Sequence, residues 1–277
     1  MLKQRFFTAV ALVVPFLAVL FLGSLTHFAL LAGVVVSLAA WEWAGLSAVT
    51  KPALRLSFVF MVAAIALGLA WLIHQPDSSQ YLRTVLVVAV FWWGLALLWV
   101  QGYPSSALIW GSSPVRLLMG LFILVPAWLA LMFLRAQPHG AWLVLMVVFT
   151  VAAADIGAYF TGRAIGKTKL AKNVSPGKSW EGVLGGMFSV LVLGIIAKVT
   201  ILHGSWWSLI VVLIPTALVS VLGDLVESMV KRHQGVKDSG HLLPGHGGFM
   251  DRIDGLVAAA PVFALSVLAS GWTLVVG

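Results

Sequence analysis

WWSLIVVLIPTALVSVLGDLVESMVKR, residues 206–232, begins as an apolar run and ends in charge. A helix needs about 20 mostly apolar residues to cross a bilayer, and the run over 206–227 is long enough. Continued as helix, it places Asp224, Glu227, Ser228 and Lys231 at i, i+3, i+4 and i+7, on one face. Ionisable groups at membrane depth are costly and face the protein interior or a wet cavity. The plain alternative is a structural ion pair of Asp224 or Glu227 with Lys231. Such a pair leaves unexplained the stretch that follows, KDSGHLLPGHGGFMDRID at residues 237–254.

The rest of the chain agrees with a membrane reading. Of its 277 residues, 61% are hydrophobic and 9% charged, against roughly 25% charged in soluble domains. Nine spans are predicted, near 6–23, 27–46, 56–73, 83–100, 115–134, 141–160, 183–203, 206–227 and 255–276. The first, although it starts like a signal peptide, reads as an uncleaved membrane helix. The fold class is therefore all-α, a polytopic integral membrane protein with about nine transmembrane helices. Lys3, Arg5, Lys51, Arg55, Arg116, Arg163, Lys167, Lys169, Lys172, Lys178, Lys231, Arg232, Lys237 and Arg252 fall on one side of these spans. Only Arg83 and Arg135 fall on the other, which predicts a cytoplasmic N-terminus. The net charge of +8 thus reports topology and not a nucleic-acid partner. With no cysteine, disulfide and thiolate chemistry are excluded.

Two long polar gaps, 161–182 and 228–254, then face the cytoplasm. Only Glu42 and Asp77 among the acids precede residue 150. The chain divides on this basis into a scaffold, 1–140, and a catalytic region, 141–277, that contains both loops. In the second loop Asp251 and Asp254 project together, and converging carboxylates call for a cation between them. A hard divalent ion such as Mg²⁺ takes oxygen ligands and bridges to substrate phosphates. Gly245, Gly247 and Gly248 let backbone approach a ligand and expose N–H groups to an anion. Lys231, Arg232, Lys237 and Arg252 add positive charge. Carboxylates, lysines and a glycine-rich turn together point to phosphoryl or nucleotidyl transfer. His246 reads as a phosphate or carboxylate partner, and His233 and His241 as loop residues.

The first gap contains GRAIGKT, which is one residue short of a phosphate-binding P-loop and follows a membrane helix instead of a strand. What remains is a basic loop with SPGKSWEG, residues 175–182, where Pro176 stiffens a turn that presents Lys178 beside Ser175 and Ser179. Topology alone accounts for Lys167, Lys169 and Lys172, but less well for Asp155 and Glu181.

Ser228-Met-Val-Lys-Arg, then Lys237-Asp238, then Pro244-Gly-His-Gly-Gly-Phe-Met-Asp-Arg-Ile-Asp254 resembles the signature of the phosphatidate cytidylyltransferase, or CDP-diacylglycerol synthase, family. DIGAYFTGRAIGK at 155–167 and SPGKSWEG are similar to the same family, so the resemblance covers roughly residues 150–256. It implies an enzyme of the inner (plasma) membrane that joins CTP to phosphatidate held in the bilayer, from a site facing the cytoplasm. It also implies a homodimer, and a Mg²⁺ centre that can include K⁺. Carried over by position, Asp224 and Asp251 are the metal ligands. Lys231, Lys237 and Asp238 contact phosphates or orient those ligands, with His246 and Asp254 in support. Lys178, Ser179, Arg232, Gly247, Gly248, Arg252 and Asp155 complete the substrate-binding set. A CTP-dependent lipid kinase and an ion-coupled transporter are the rival readings.

Overall fold

In hydrocarbon every backbone polar group has to be satisfied within the protein, which leaves the helix as the spanning element for segments like these. A computed structural model describes residues 2–73, 79–200, 206–240, 242 and 247–270. Its helices are α1 (Leu2–Leu22), α2 (Leu25–Leu46), α3 (Pro52–Ile73), α4 (Ser79–Gln101), the short α5 (Ala107–Trp110), α6 (Ser113–Ala136), α7 (Gly140–Ile165), α8 (Trp180–Thr200), α9 (Trp206–His233) and α10 (Met250–Ser270). Eight of them are long and apolar enough to cross a membrane, and α1 adds a shorter apolar stretch, Val10–Leu22. The predicted spans fall on α1–α4 and α6–α10, mostly lengthened at their ends, while the predicted residues 201–203 and 271–276 lie outside the described ones.

Three differences from the sequence reading bear on the site. The stretch at 161–182 is not an open loop, because α7 runs on to Ile165 and a two-stranded antiparallel hairpin follows. Its strands, β1 (Lys169–Ala171) and β2 (Ser175–Ser179), pair Lys169 with Ser179 and Ala171 with Ser175. Second, α9 continues past residue 227 to His233, a helix of 28 residues. His233 is thus helical and not a loop residue; its ring meets the edge of Trp110, with Nε2 3.3 Å from the Gly111 carbonyl. Third, α10 begins at Met250, which puts Asp251 and Asp254 on the helix itself.

Packing draws on the whole chain. One apolar core joins Trp43 of α2, Met119 of α6, Met229 of α9 and Met250 of α10, and a second joins Leu20, Leu143, Val212 and Phe263. Small residues let α7 and α8 approach closely, with Gly157 against Ser189 and Gly185 against Thr161. Phe60, Phe91, Leu184 and Phe188 point outward, as lipid-facing side chains do.

The connecting segments separate into two groups at opposite ends of the bundle. At one end Ser113 donates to the Ser47 carbonyl, Arg116 to that of Leu46 at 2.8 Å, and Asn173 to that of Tyr103 at 3.2 Å. Arg232 joins the same end through the Val174 carbonyl at 3.4 Å. At the other end Arg135 donates to the Gly23 carbonyl at 2.9 Å, and Phe21 packs on Trp142 with ring centres 5.4 Å apart. The hairpin and residues 234–240 therefore share one end, which is where the acidic residues collect.

Candidate active site

The charged stripe of α9 lies where α9, α10, α7 and the hairpin meet. Lys178, on the second hairpin strand, approaches Asp224 Oδ2 to 2.6 Å, and the other oxygen of Asp224 accepts the Ser228 hydroxyl at 3.1 Å. One turn on, Lys231 lies 2.9 Å from Glu227 Oε2 and 2.5 Å from Asp251 Oδ1. Asp254 lies against Glu227 and interacts with Asp224 and Lys178, and Asp155 of α7 interacts with the same Lys178 and Asp224. Five carboxylates and two ammonium groups thus form one connected cluster, with a formal excess of three negative charges when all are ionised.

The ion pair weighed in the sequence is present, as Lys231 with Glu227, but it is one link in a longer chain. Glu227 is fully buried, and its Oε1 meets no hydrogen-bond donor while Asp254 stands beside it. Two carboxyl groups without a donor between them need a proton or a cation there. Among the described residues no three acid or imidazole groups converge tightly enough to enclose an ion unaided. A hard divalent ion does not require that, since one or two carboxylates plus water and substrate phosphate oxygens commonly complete its shell. The donor set fits such an ion: it is all oxygen, negative in sum, and holds an orphaned buried acceptor.

Asp251 is held more firmly than the sequence could indicate. Its Oδ2 accepts the Ser239 N–H at 2.9 Å, the Ser239 hydroxyl at 3.0 Å and the Gly248 N–H at 2.9 Å. The anion met by the Gly248 amide is thus a side chain of the protein itself. Gly247 has φ +80°, a conformation open mainly to glycine. A Cβ there would also lie 3.2 Å from Asp251 Oδ2 and 3.5 Å from Asp238 Oδ1, so Asp238 is brought to the same corner.

The other site residues are placed as follows. Ser179 is buried, and its Oγ accepts the Gly182 N–H at 3.1 Å, capping the start of α8. Glu181 closes the base of the hairpin by accepting the amides of Lys167 and Thr168 and the Thr168 hydroxyl. Arg232, Lys237, Asp238 and Arg252 are exposed at the cluster end of the bundle. His246, with Gly245 and His241, lies outside the described residues. One participant was missed: Glu42 of α2, almost fully buried, accepts the Met250 N–H at 2.8 Å, and its Oε2 lies 3.0 Å from the Ser239 hydroxyl, whose single proton is shared between Glu42 and Asp251 as alternative acceptors. A lone carboxylate inside an apolar span was the available signal.

Comparison with known proteins gives this arrangement its context. The cytidylyltransferase family model matches residues 3–269. The chain is 47% identical to the phosphatidate cytidylyltransferase of Pseudomonas aeruginosa over 98% of its own length and 99% of that protein's. It is 44% identical to the Haemophilus influenzae protein of the same name, covering 95% of this chain and 98% of that one. For the Brucella suis phosphatidate cytidylyltransferase the identity is 35%, over 95% and 92%. The acid–lysine cluster at the meeting of α7, α9 and α10 thus sits in a chain that belongs to the cytidylyltransferase family.

Proposed function

We infer that the chain is a nucleotidyltransferase that moves the cytidylyl group of CTP onto phosphatidate, giving CDP-diacylglycerol and pyrophosphate. The observation that carries this is the connected acid–lysine cluster, found in a chain similar over nearly its whole length to proteins named for that reaction.

The chemistry asks little of a general base. A phosphate monoester is already anionic at neutral pH, and one of its oxygens attacks the α-phosphorus of CTP. The bond from that phosphorus to the bridging oxygen of the β-phosphate breaks, and pyrophosphate leaves with the electron pair. The difficulty is to bring two polyanions together and to stabilise the charge on the leaving group. Lys178 and Lys231 are ammonium groups already seated among carboxylates, so substrate phosphates exchange for partners that the lysines hold at rest. Arg232, Lys237 and Arg252 sit at the exposed rim, where they draw the triphosphate in. Asp224 and Asp251 are the proposed Mg²⁺ ligands, with Glu227 Oε1 and Asp254 as further oxygen donors. Bound there, Mg²⁺ supplies neutralisation of the phosphate oxygens and of the departing pyrophosphate. K⁺ as a second ion and a homodimeric assembly belong to this reading on family resemblance alone.

The end of the bundle that carries the hairpin is the cytoplasmic one in this reading, in the inner membrane, because the basic residues gather there. CTP then arrives from the cytoplasm while the acyl chains remain in the bilayer. Purified protein given CTP, phosphatidate and Mg²⁺ tests the reaction. Label on the α-phosphate appears in lipid and label on the γ-phosphate leaves as pyrophosphate. Transfer of the γ-label to lipid would instead identify a kinase, and transfer of neither would leave the transporter.

A further inference from the structure

Glu42 belongs to the part of the chain with almost no acids, and its side chain is only 3% exposed. A carboxylate buried in a membrane helix is costly unless its oxygens are engaged. Glu42 Oε2 is engaged by a segment distant in sequence. It accepts the Met250 N–H at 2.8 Å, one of the amides at the start of α10 that lacks a partner within its own helix. An anion at that end also suits the helix dipole. In effect α2 provides the N-terminal cap of α10.

The same oxygen lies 3.0 Å from the Ser239 hydroxyl, which is itself 3.0 Å from Asp251 Oδ2 and accepts the Asp251 N–H at 3.3 Å. Ser239 is therefore a bridge between a carboxylate of α2 and one of the reaction site. The surrounding chain is shaped to admit Glu42. A Cβ at Gly240 would collide with Glu42 Oε1, and one at Gly248 would collide with Ser239 Oγ and lie 2.7 Å from Glu42 Oε2. Backbone alone fits against this carboxylate, and that gives Gly240 and Gly248 a purpose apart from substrate.

We propose that Glu42 is a positioning residue, which fixes the first turn of α10 and, through Ser239, the direction in which Asp251 presents its carboxylate to Lys231. Glu42 lies against Gly248, whose N–H is already given to Asp251 Oδ2, and its own hydrogen bonds go to Met250 and Ser239 and not to the charged groups assigned to CTP or to the lipid phosphate, so it acts through Asp251. The proposal rests on the reading of Asp251 as a working residue of the cytidylyl-transfer site.

The absence of cysteine makes a direct test available. Met250 and Ala130 are both buried, the first beside Glu42 and the second in the other core. Met250→Cys and Ala130→Cys are made singly, with and without Glu42→Gln, and alkylation by N-ethylmaleimide is timed on the purified full-length protein. Glu42→Gln is expected to speed alkylation at 250 about tenfold and to leave 130 unchanged. In the cysteine-free background it lowers kcat about tenfold per folded molecule while KM for CTP stays within twofold. Ser239→Ala breaks the same link, so it lowers kcat similarly alone and by less than threefold when added to Glu42→Gln. Ser239→Ala also keeps the proposal testable if Glu42→Gln folds poorly. An unchanged kcat per folded molecule, or equal acceleration at 250 and 130, overturns it. Failure of the functional reading is distinct, because wild-type protein would then make no cytidylylated lipid at all.

Discussion

Lys178 Nζ stands 2.6 Å from Asp224 Oδ2, so the hairpin between α7 and α8 is tied to α9 by an ion pair inside the proposed site. Both side chains keep some access to solvent, at 24% and 36% exposed. The pair is open enough for a substrate phosphate to replace the carboxylate as the partner of Lys178. Lys178→Met removes the proposed phosphate contact, and turnover is expected to fall by about 100-fold or more, with a smaller loss of thermal stability than at Lys231, since this pair is only half-buried. Lys178→Arg should recover only part of the rate, because a planar guanidinium does not replace a compact ammonium. Turnover and melting temperature on the same purified samples check both.

Asp224→Asn and Asp251→Asn preserve size and remove charge. Each is expected to reduce cytidylyl transfer by orders of magnitude while the protein still inserts in the membrane. Near-normal turnover in either variant would remove that residue from the site.

Lys231 gives a different signature, because it joins two acids and one of them, Glu227, is fully buried. Removing one partner of a buried pair costs about 3–5 kcal/mol through the charge left behind. Lys231→Met should therefore lower both stability and activity. Adding Glu227→Gln should restore much of the stability and none of the activity. Thermal unfolding with the lipid-product assay separates the two effects; if stability and activity return together, Lys231 is structural.

The orientation is checked with reporters fused near residue 170 and near residue 240, both expected to read as cytoplasmic, and at residue 277, expected to read as outside. A periplasmic signal at either of the first two positions overturns the topology and with it the route proposed for CTP.

The spans were legible in the sequence because length and apolarity are all that a membrane asks of a helix. Their ends were less so. The last turns of α9 are polar, and helix there follows from the stripe Asp224, Glu227, Ser228, Lys231 being packed and paired, which hydropathy does not register. The hairpin escaped because its strands are short and carry no apolar alternation; Lys169–Ala171 has three residues. The acids and lysines of the site were visible as types and spacings, but their pairing was not. Nothing in the sequence assigns Lys178 to Asp224 rather than to Asp155, since three separate elements have to meet first. Glu42 escaped for the same reason: its partners, Ser239 and Met250, lie at the far end of the chain and are brought to it only by the packing of α2 against α10.

The length of α9 sets a depth. At 1.5 Å per residue its 28 residues run about 42 Å, against a hydrocarbon thickness of about 30 Å. Trp206 and Trp207, both exposed, mark one water boundary in the manner of an aromatic belt. Counted from Trp206, Asp224 lies about 27 Å along the axis and Lys231 about 38 Å. The charged stripe thus straddles the level at which glycerol gives way to phosphate in the opposite leaflet. In the proposed reaction a lipid phosphate would meet Lys231 at the height where it already floats, and the diacylglycerol would not need to be lifted from its neighbours.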